Sequence, residues 1–149
     1  MRKEQVLGLY QSDRPLLTLG QDGITRGHLD HSGGLMTKEQ IAEAVHEINR
    51  VLQGLFRQPV SDPWPECSAW QKQSSADGVA FVLRNPGCQG RDIHENWRAD
   101  LLRRGWKLGP VKSEKLKEHP LLVPYEKLSS YDQAKDEIFI ATVRALGRA

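Results

Sequence analysis

The residues best suited to chemistry are concentrated in one stretch of the chain, between His94 and Leu128. This stretch combines two histidines, two tryptophans, a Gly-Trp-x-x-Gly unit, two prolines beside potential contact groups, and a run of lysines. Imidazoles and carboxylates transfer protons or bind metals, and ammonium groups hold anions. Indole rings stack on flat ligands. Metal-assisted hydrolysis, covalent catalysis and ligand binding are therefore the chemistries to weigh.

A zinc hydrolase is the first candidate, because His-Glu occurs twice, at His46 and at His94. A zincin needs a second histidine four positions later, so that both imidazoles face one metal ion. Arg50 and Arg98 stand at those positions, and a guanidinium repels a cation. The residues left for a mixed Cys/His site lack the short spacing typical of such sites; they are Cys67, Cys88, His94 and His119. No metal site is predicted.

Covalent catalysis would need a nucleophile oriented by a base. Cys88 precedes His94 by six positions, but it follows Asn-Pro-Gly and belongs to no recognisable motif, so it is interpreted as a small loop residue. Neither a Gly-x-Gly-x-x-Gly fingerprint nor a Walker-type phosphate loop is present. We therefore expect no enzyme activity and no cofactor.

The elements that must position these residues are mainly helices. Apolar residues at helical spacing, bounded by capping patterns and helix breakers, predict four helices over about residues 37–56, 66–84, 92–104 and 130–146. Thr37 and Gln40 make a capping-box pattern, Glu95 is expected to complete the cap of the third helix, and Gly105 is expected to end that helix. The inward face of the third helix is predicted to consist of His94, Trp97, Leu101 and Leu102.

Two short segments between the third and fourth helices favour β structure, at residues 106–108 and 121–123. The expected fold class is therefore mainly α, a compact bundle of about four helices with a short β-hairpin or extended segments in the C-terminal module. Gly78, on the second helix, is expected to allow close approach of another helix.

Three regions are expected along the chain. Residues 1–35 are polar and glycine-rich, and Met36 opens a sequence typical of a natural start, so they are predicted to be a flexible or non-native N-terminal extension. Residues 36–88 form a helical N-terminal half, and residues 89–149 form the C-terminal module. The two latter regions share His-Glu-x-x-Arg, at 46–50 and 94–98, which either chance or ancient similarity explains.

Composition narrows the compartment and the partners. The chain of 149 residues carries a net charge of +2, which gives no reason to expect a nucleic-acid partner. Two cysteines without a spacing pattern favour a reducing cytoplasm. No run approaches the roughly 20 apolar residues of a membrane span. We expect a cytoplasmic protein without a membrane partner.

The order of motifs after residue 93 resembles the repeat module of ryanodine receptors and its small single-repeat bacterial and phage relatives. The motifs are His-Glu-x-Trp from His94, then Gly-Trp-x-x-Gly-Pro-Val, Lys-x-His-Pro, and Pro-Tyr ending at Tyr125. Leu108 departs from the family pattern, because an aromatic residue often follows Gly-Trp-x there. Ser113-Glu114 likewise replaces an acidic pair. The resemblance implies a regulatory, non-catalytic module, and its prokaryotic versions are suspected to sense nucleotide-derived molecules.

The resemblance and the residue types together predict a ligand-binding set. Trp97 and Trp106 are expected to wall a recess for a flat guest, with stacking worth roughly 1–3 kcal/mol. Arg103 and Lys112 are expected to contact anions. The full predicted set is His94, Glu95, Trp97, Arg103, Trp106, Lys112, His119 and Tyr125.

Each of these residues also permits a purely structural interpretation: a packed histidine, a helix-capping carboxylate, core indoles and a solvated basic face. The leading hypothesis is a non-enzymatic ligand-binding or regulatory module that recognises a nucleotide-like small molecule. The alternative is a protein–protein interaction adaptor of phage or bacterial origin, binding a partner helix or a second copy. The adaptor hypothesis predicts an exposed apolar patch along the Trp70–Phe81 helix or around Trp64.

Overall fold

The computed structural model describes residues 36–147, so the extension expected over residues 1–35 lies outside the described residues. The helices are α1 (Lys38–Leu55), α2 (Ala69–Arg84), α3 (Gly90–Arg103) and α4 (Ser130–Leu146). Two short strands, β1 (Lys107–Leu108) and β2 (Glu118–His119), lie between α3 and α4. The mainly α prediction is confirmed. Within residues 36–147 no helix is both long and apolar enough to cross a bilayer.

Local sequence explains where most helices begin and end. Thr37 and Gln40 form the predicted capping box, in which each side chain accepts a hydrogen bond from the other residue's backbone N–H. The cap of α3 differs from the prediction, because Asp92 accepts from the backbone N–H of Gln89 and the helix begins at Gly90. Gly105 ends α3 with a positive φ of 85°, which is costly for residues with a side chain.

One hydrophobic core joins all four helices. Its most deeply buried side chains include Val79 of α2 and Val143 of α4, both with no exposed surface; the others are Ile41, Ala42, Val45, Val82, Cys88, Ile93 and Ile140. Gly78 allows the predicted close approach, since a Cβ built there would lie 3.1 Å from the Phe139 ring. The boundary expected near residue 88 therefore runs through continuous packing.

A second, smaller apolar cluster lies beside the C-terminal half of α3. Leu101 and Leu122 pack against the buried indole of Trp106. Leu101 is buried as predicted, but the prediction that Leu102 also faces inward is wrong, because Leu102 stays 47% exposed.

The β structure differs from the predicted pattern. β1 pairs in parallel with β2, in the register Lys107 to Glu118, and the predicted second strand at residues 121–123 is not a strand. An antiparallel bridge between Ser113 and Glu118 folds the connecting loop back, so the chain re-enters beside β1 in the same direction. Residues 121–123 instead follow a turn that delivers Leu122 to the small cluster.

The continuity of the core predicts that residues 89–147 will not fold alone. Ile93, Ile140 and Val143 would lose their partners on α1 and α2, and the burial of several large side chains provides most of the stability of a small domain. Thermal melts by near-ultraviolet circular dichroism should show a sharp transition for residues 36–149 and none for residues 89–149. A cooperative melt of the shorter fragment would contradict this expectation.

Candidate functional site

The His-Glu-x-x-Arg motif of α3 binds the backbone of the segment that leads to α4. The His94 Nε2–H donates to the carbonyl oxygen of Val123 at 2.7 Å. The Glu95 carboxylate accepts from the Tyr125 backbone N–H at 2.9 Å and from Arg98 at 3.1 Å. The Tyr125 hydrogen bond is the main reason that the pKa of Glu95 lies below its ordinary value. These contacts hold a long connecting segment in place.

The same contacts occur in α1. The His46 Nε2–H donates to the Asp62 carbonyl at 2.7 Å, and Glu47 accepts from the Trp64 backbone N–H at 3.0 Å and from Arg50 at 2.7 Å. Here too the backbone hydrogen bond is the first cause of a lowered pKa, at Glu47. The short sequence similarity is therefore accompanied by the same hydrogen-bond geometry in both halves.

The segments that these motifs bind are also alike. Each contains a proline followed by an aromatic residue at the start of a 3₁₀ turn, Pro63-Trp64 in one and Pro124-Tyr125 in the other. Four residues after each aromatic, a serine caps the next helix, Ser68 for α2 and Ser129 for α4. This Pro-aromatic-x-x-x-Ser spacing was visible in the sequence of both halves, and it would have strengthened the comparison.

A cavity of about 270 Å³ lies between the two halves. This volume is slightly below the roughly 300–1,000 Å³ typical of small-molecule sites. Its walls are largely apolar and include equivalent positions of the two motif helices; the pairs are Val45 and Ile93, His46 and His94, and Asn49 and Trp97. The cavity therefore needs both halves.

Three of the predicted site residues line this cavity: His94, Trp97 and His119. His94 is buried and makes the hydrogen bond described above, so it combines a structural role with a place in the wall. The His119 ring stands edge-on to the Trp97 indole, with ring centroids 4.9 Å apart. The structure thus brings one indole and two imidazoles together.

The two tryptophans do not face one recess. Trp106 is 5% exposed, and it stacks on Trp70 with ring centroids 4.6 Å apart, outside the cavity lining. Trp106 is used for packing, since it forms a buried cluster with Leu101 and Leu122. Trp97 is the one of the two that lines the cavity.

The other predicted site residues also lie outside the lining. Glu95 and Tyr125 meet through the backbone hydrogen bond that secures the 3₁₀ turn. Arg103 is exposed and pairs with Asp100 at 3.2 Å. The ammonium of Lys112 donates to the Gln71 side chain at 3.1 Å and lies 5.6 Å from the Trp70 ring centroid. The predicted anion contacts are therefore not part of the cavity wall.

Sequence reasoning missed the polar groups that α4 places in the wall. Asp132 and Lys135 line the cavity and form an ion pair at 2.9 Å. Asp136 also lines it, and it has no hydrogen bond or ion pair to any residue among those described. An indication was present, because Asp132 and Asp136 lie on the helix face that carries Phe139, Ile140 and Val143. A charged residue on an apolar helix face deserves a functional interpretation.

The comparison with known families identifies the second half. Residues 89–146 match the family model of the RyR domain. The match begins at the cap of α3 and ends with α4, and it covers less than half of the chain. It confirms the family that the motif order resembles. No curated protein matches the chain.

The RyR domain supplies one side of the cavity, and the preceding helical half supplies the other. The motif of His94, Glu95 and Arg98 lies inside the domain. Its counterpart at His46, Glu47 and Arg50 precedes the match. The first half therefore shares the RyR domain's local geometry without being part of the matched segment.

The electrostatics of the cavity are set by burial. Burial lowers the pKa of His119 to about 4, so its ring is neutral at pH 7. Its Nδ1 accepts from the Leu121 backbone N–H at 3.1 Å, which places the ring proton on Nε2. Burial also raises the pKa of Asp136 to about 7, so near neutral pH this carboxyl group is present both protonated and ionised.

Neither cysteine of the described residues is activated as a nucleophile. The Cys67 thiol lies 3.4 Å from His46 Nε2, but the proton on that nitrogen is donated to the Asp62 carbonyl. Burial raises the pKa of Cys67 and of Cys88, which lowers the thiolate fraction. Within residues 36–147, no group of three or more His, Cys, Asp or Glu side chains is placed to hold a metal ion.

Asp136 and His119 affect the pH dependence of folding in opposite directions. The folded state holds the Asp136 proton more tightly than the unfolded chain, so stability is lost as the pH rises from 3.8 through about 7. The unfolded chain instead holds the His119 proton more tightly, so stability is lost as the pH falls from 6.5 towards 4. In the wild type these two effects partly cancel between pH 4 and 6.5.

Single substitutions should separate the two effects. Relative to the wild type, Asp136→Asn should lose about 1–2 kcal/mol of unfolding free energy on acidification from about pH 6.5 to 4.5. His119→Gln should gain a similar amount over the same interval. Urea titrations at four pH values measure these differences, and Arg103→Ala serves as an exposed control. Parallel profiles for all four proteins would show that neither group titrates as described.

Proposed function

We propose that this chain is a non-enzymatic, cytoplasmic ligand-binding module, in which the RyR domain and the preceding helical half recognise a nucleotide-like small molecule together. The observation that supports it is the cavity between the halves. Its largely apolar walls, one indole, the neutral imidazole of His119 and an unpartnered carboxyl group are a combination typical of sites for organic ligands. Of the predicted ligand-binding set, this proposal retains His94, Trp97 and His119, the members that line the cavity.

A flat heterocycle suits this cavity better than a flexible ligand. The wall contributed by Trp97 offers an indole, and stacking a base on an aromatic ring is worth roughly 1–3 kcal/mol. The rings of Trp97 and His119 meet edge-to-face at an interplanar angle of 79°, so the two walls form a corner. In such a corner, a planar ligand that stacks its face on the Trp97 indole has one edge against the His119 ring.

Binding at this position would regulate the contact between the two halves. A ligand that touches both stabilises the arrangement in which they pack together, by mass action. The fraction of molecules with packed halves would then increase with ligand concentration, without any catalytic step. A partner protein that binds only the packed arrangement would respond to this change.

Titration of the purified chain with adenosine monophosphate tests the proposal. Saturable binding should change the tryptophan fluorescence, because Trp97 lines the cavity, and a large excess of ligand should raise the Tm by about 5 °C or more. Trp97→Leu should weaken binding about tenfold. Arg103→Ala is the control, since Arg103 lies outside the cavity. An unchanged Tm together with no saturable signal from adenosine or its phosphates would refute nucleotide recognition.

An adaptor role is the second candidate, and an exposed stripe on α1 favours it. Ile48, Val51 and Leu55 recur at helical spacing and continue into Phe56, and Val51 and Leu55 are 62% and 72% exposed. The patch is not where it was predicted. Trp70 stacks on Trp106, and Trp64 and Phe81 pack against the core.

If the stripe mediates association of two copies, light scattering at rising protein concentration should detect a dimer. Val51→Lys combined with Leu55→Glu should return the protein to a monomer without lowering its stability, because both side chains are exposed. Lys38→Glu at the opposite end of α1 is a matched surface control. If the wild-type protein stays monomeric at high concentration, self-association through this stripe is ruled out.

A further inference from the structure

Resting on the ligand-binding function proposed above, we propose that Asp136 reads the amino-bearing edge of an adenine-type base in the cavity, and that the phosphate of such a ligand stays outside. The proposal follows from the balance of charges and hydrogen-bonding groups in the cavity wall.

Three residues of α4 place a carboxylate or an ammonium group in the cavity wall: Asp132, Lys135 and Asp136. The Lys135 ammonium already has partners within the protein, since it lies 2.9 Å from Asp132 and 5.0 Å from the Tyr131 ring centroid. Asp132 also accepts from the Ser129 hydroxyl at 2.8 Å. Asp136 is therefore the group of this trio that keeps its hydrogen-bonding capacity for a guest.

The remaining ionisable groups of the wall are the imidazoles of His46, His94 and His119. The first two donate their Nε2 protons to backbone carbonyl oxygens. The third has its Nδ1 occupied by a backbone N–H, which leaves a neutral N–H donor at Nε2. The Nε2 protons of His46 and His94 are therefore committed to the backbone, and His119 offers a ligand a donor without a charge.

Two hydrogen-bond acceptors in the wall are open to a ligand that donates hydrogen bonds. The Asp136 carboxyl group lines the cavity and has no hydrogen bond or ion pair within residues 36–147, and the buried Asn49 side-chain oxygen has no hydrogen-bond partner. Since a buried acceptor is costly to leave unpaired, a ligand N–H placed against these groups contributes to affinity. An exocyclic amino group next to a ring nitrogen provides this donor in a flat molecule.

A phosphate group is disfavoured in the same place. It would face the Asp136 carboxyl group, and the nearest ammonium in the wall is already neutralised by Asp132. Lysines that are suited to holding phosphate lie outside the lining, Lys112 among them. The charge distribution therefore selects the base end of a nucleotide for the cavity.

The protonation behaviour of Asp136 fits an adenine edge in particular. Because burial raises its pKa to about 7, the carboxyl group carries a proton in much of the population at neutral pH. A protonated carboxyl group accepts from an amino N–H with one oxygen and donates to a ring nitrogen with the other. Adenine presents these two groups side by side.

Isothermal titration calorimetry of the full chain with adenosine and purine riboside tests the inference, because the two differ only by the amino group. Adenosine should bind the wild type about tenfold more tightly. Asp136→Ala should remove this preference, and Asp136→Asn should keep it, since an amide also pairs with adenine through one donor and one acceptor. Glu43→Gln is the control for loss of an exposed carboxylate outside the wall.

The pH dependence provides a second readout that a merely structural role would not move. Wild-type affinity for adenosine should fall as the pH rises through about 7, whereas Asp136→Asn should bind with a flat profile between about pH 6 and 8. Thermal melts of each variant establish that it is folded. Inorganic phosphate at millimolar concentration should not compete with adenosine.

The outcomes distinguish the two proposals. Equal binding of adenosine and purine riboside by the wild type and by Asp136→Ala would overturn the role of Asp136, while nucleoside binding itself would stand. Competition by inorganic phosphate would overturn the exclusion of the phosphate. If no nucleoside or nucleotide binds the wild type, the proposed function fails, and the inference fails with it.

Discussion

Each half of the described structure depends on one adjacent pair of side chains, a histidine followed by a glutamate, that binds the backbone of a distant segment. His94 and Glu95 hold the segment before α4, and His46 and Glu47 hold the segment before α2. Backbone groups in such connections need partners, and a carboxylate that accepts from a backbone N–H makes a comparatively strong hydrogen bond. With these contacts in place, each connection delivers its helix to the shared core.

The cavity lies between two similar halves whose side chains are not identical. Where α2 carries Gly78, the corresponding position of α4 carries Phe139, and this ring fills the space that the glycine leaves. Where α1 carries Asn49, α3 carries Trp97. Val79 and the corresponding Ile140 are both buried in the shared core. Equivalent positions of the two halves thus carry side chains of different size, and Asn49, Trp97, Gly78 and Phe139 all line the cavity.

The groups that suit the cavity to a ligand also cost stability. A carboxyl group without a partner in a desolvated position shifts its pKa upwards, as Asp136 does, and this costs folding free energy at neutral pH. An uncharged side chain at this position would avoid that cost. Retention of the carboxyl group in a wall that also holds Trp97 and His119 is physically consistent with a role in recognition.

Local sequence was sufficient for the helices, because each depends on interactions within a few residues: the capping box at Thr37, the glycine after α3, and apolar residues at helical spacing. The motif order also indicated the RyR domain, because its motifs, such as His94-Glu95 and Pro124-Tyr125, contact one another within residues 89–146. Tertiary structure decided which residues share the cavity. Trp97 and Trp106 look alike in sequence, yet Trp70 covers one and leaves the other beside the cavity. The pairing of β1 with β2 and the lack of a hydrogen-bond partner for Asp136 likewise depend on contacts between segments that are far apart in the chain. No local sequence pattern predicts such contacts.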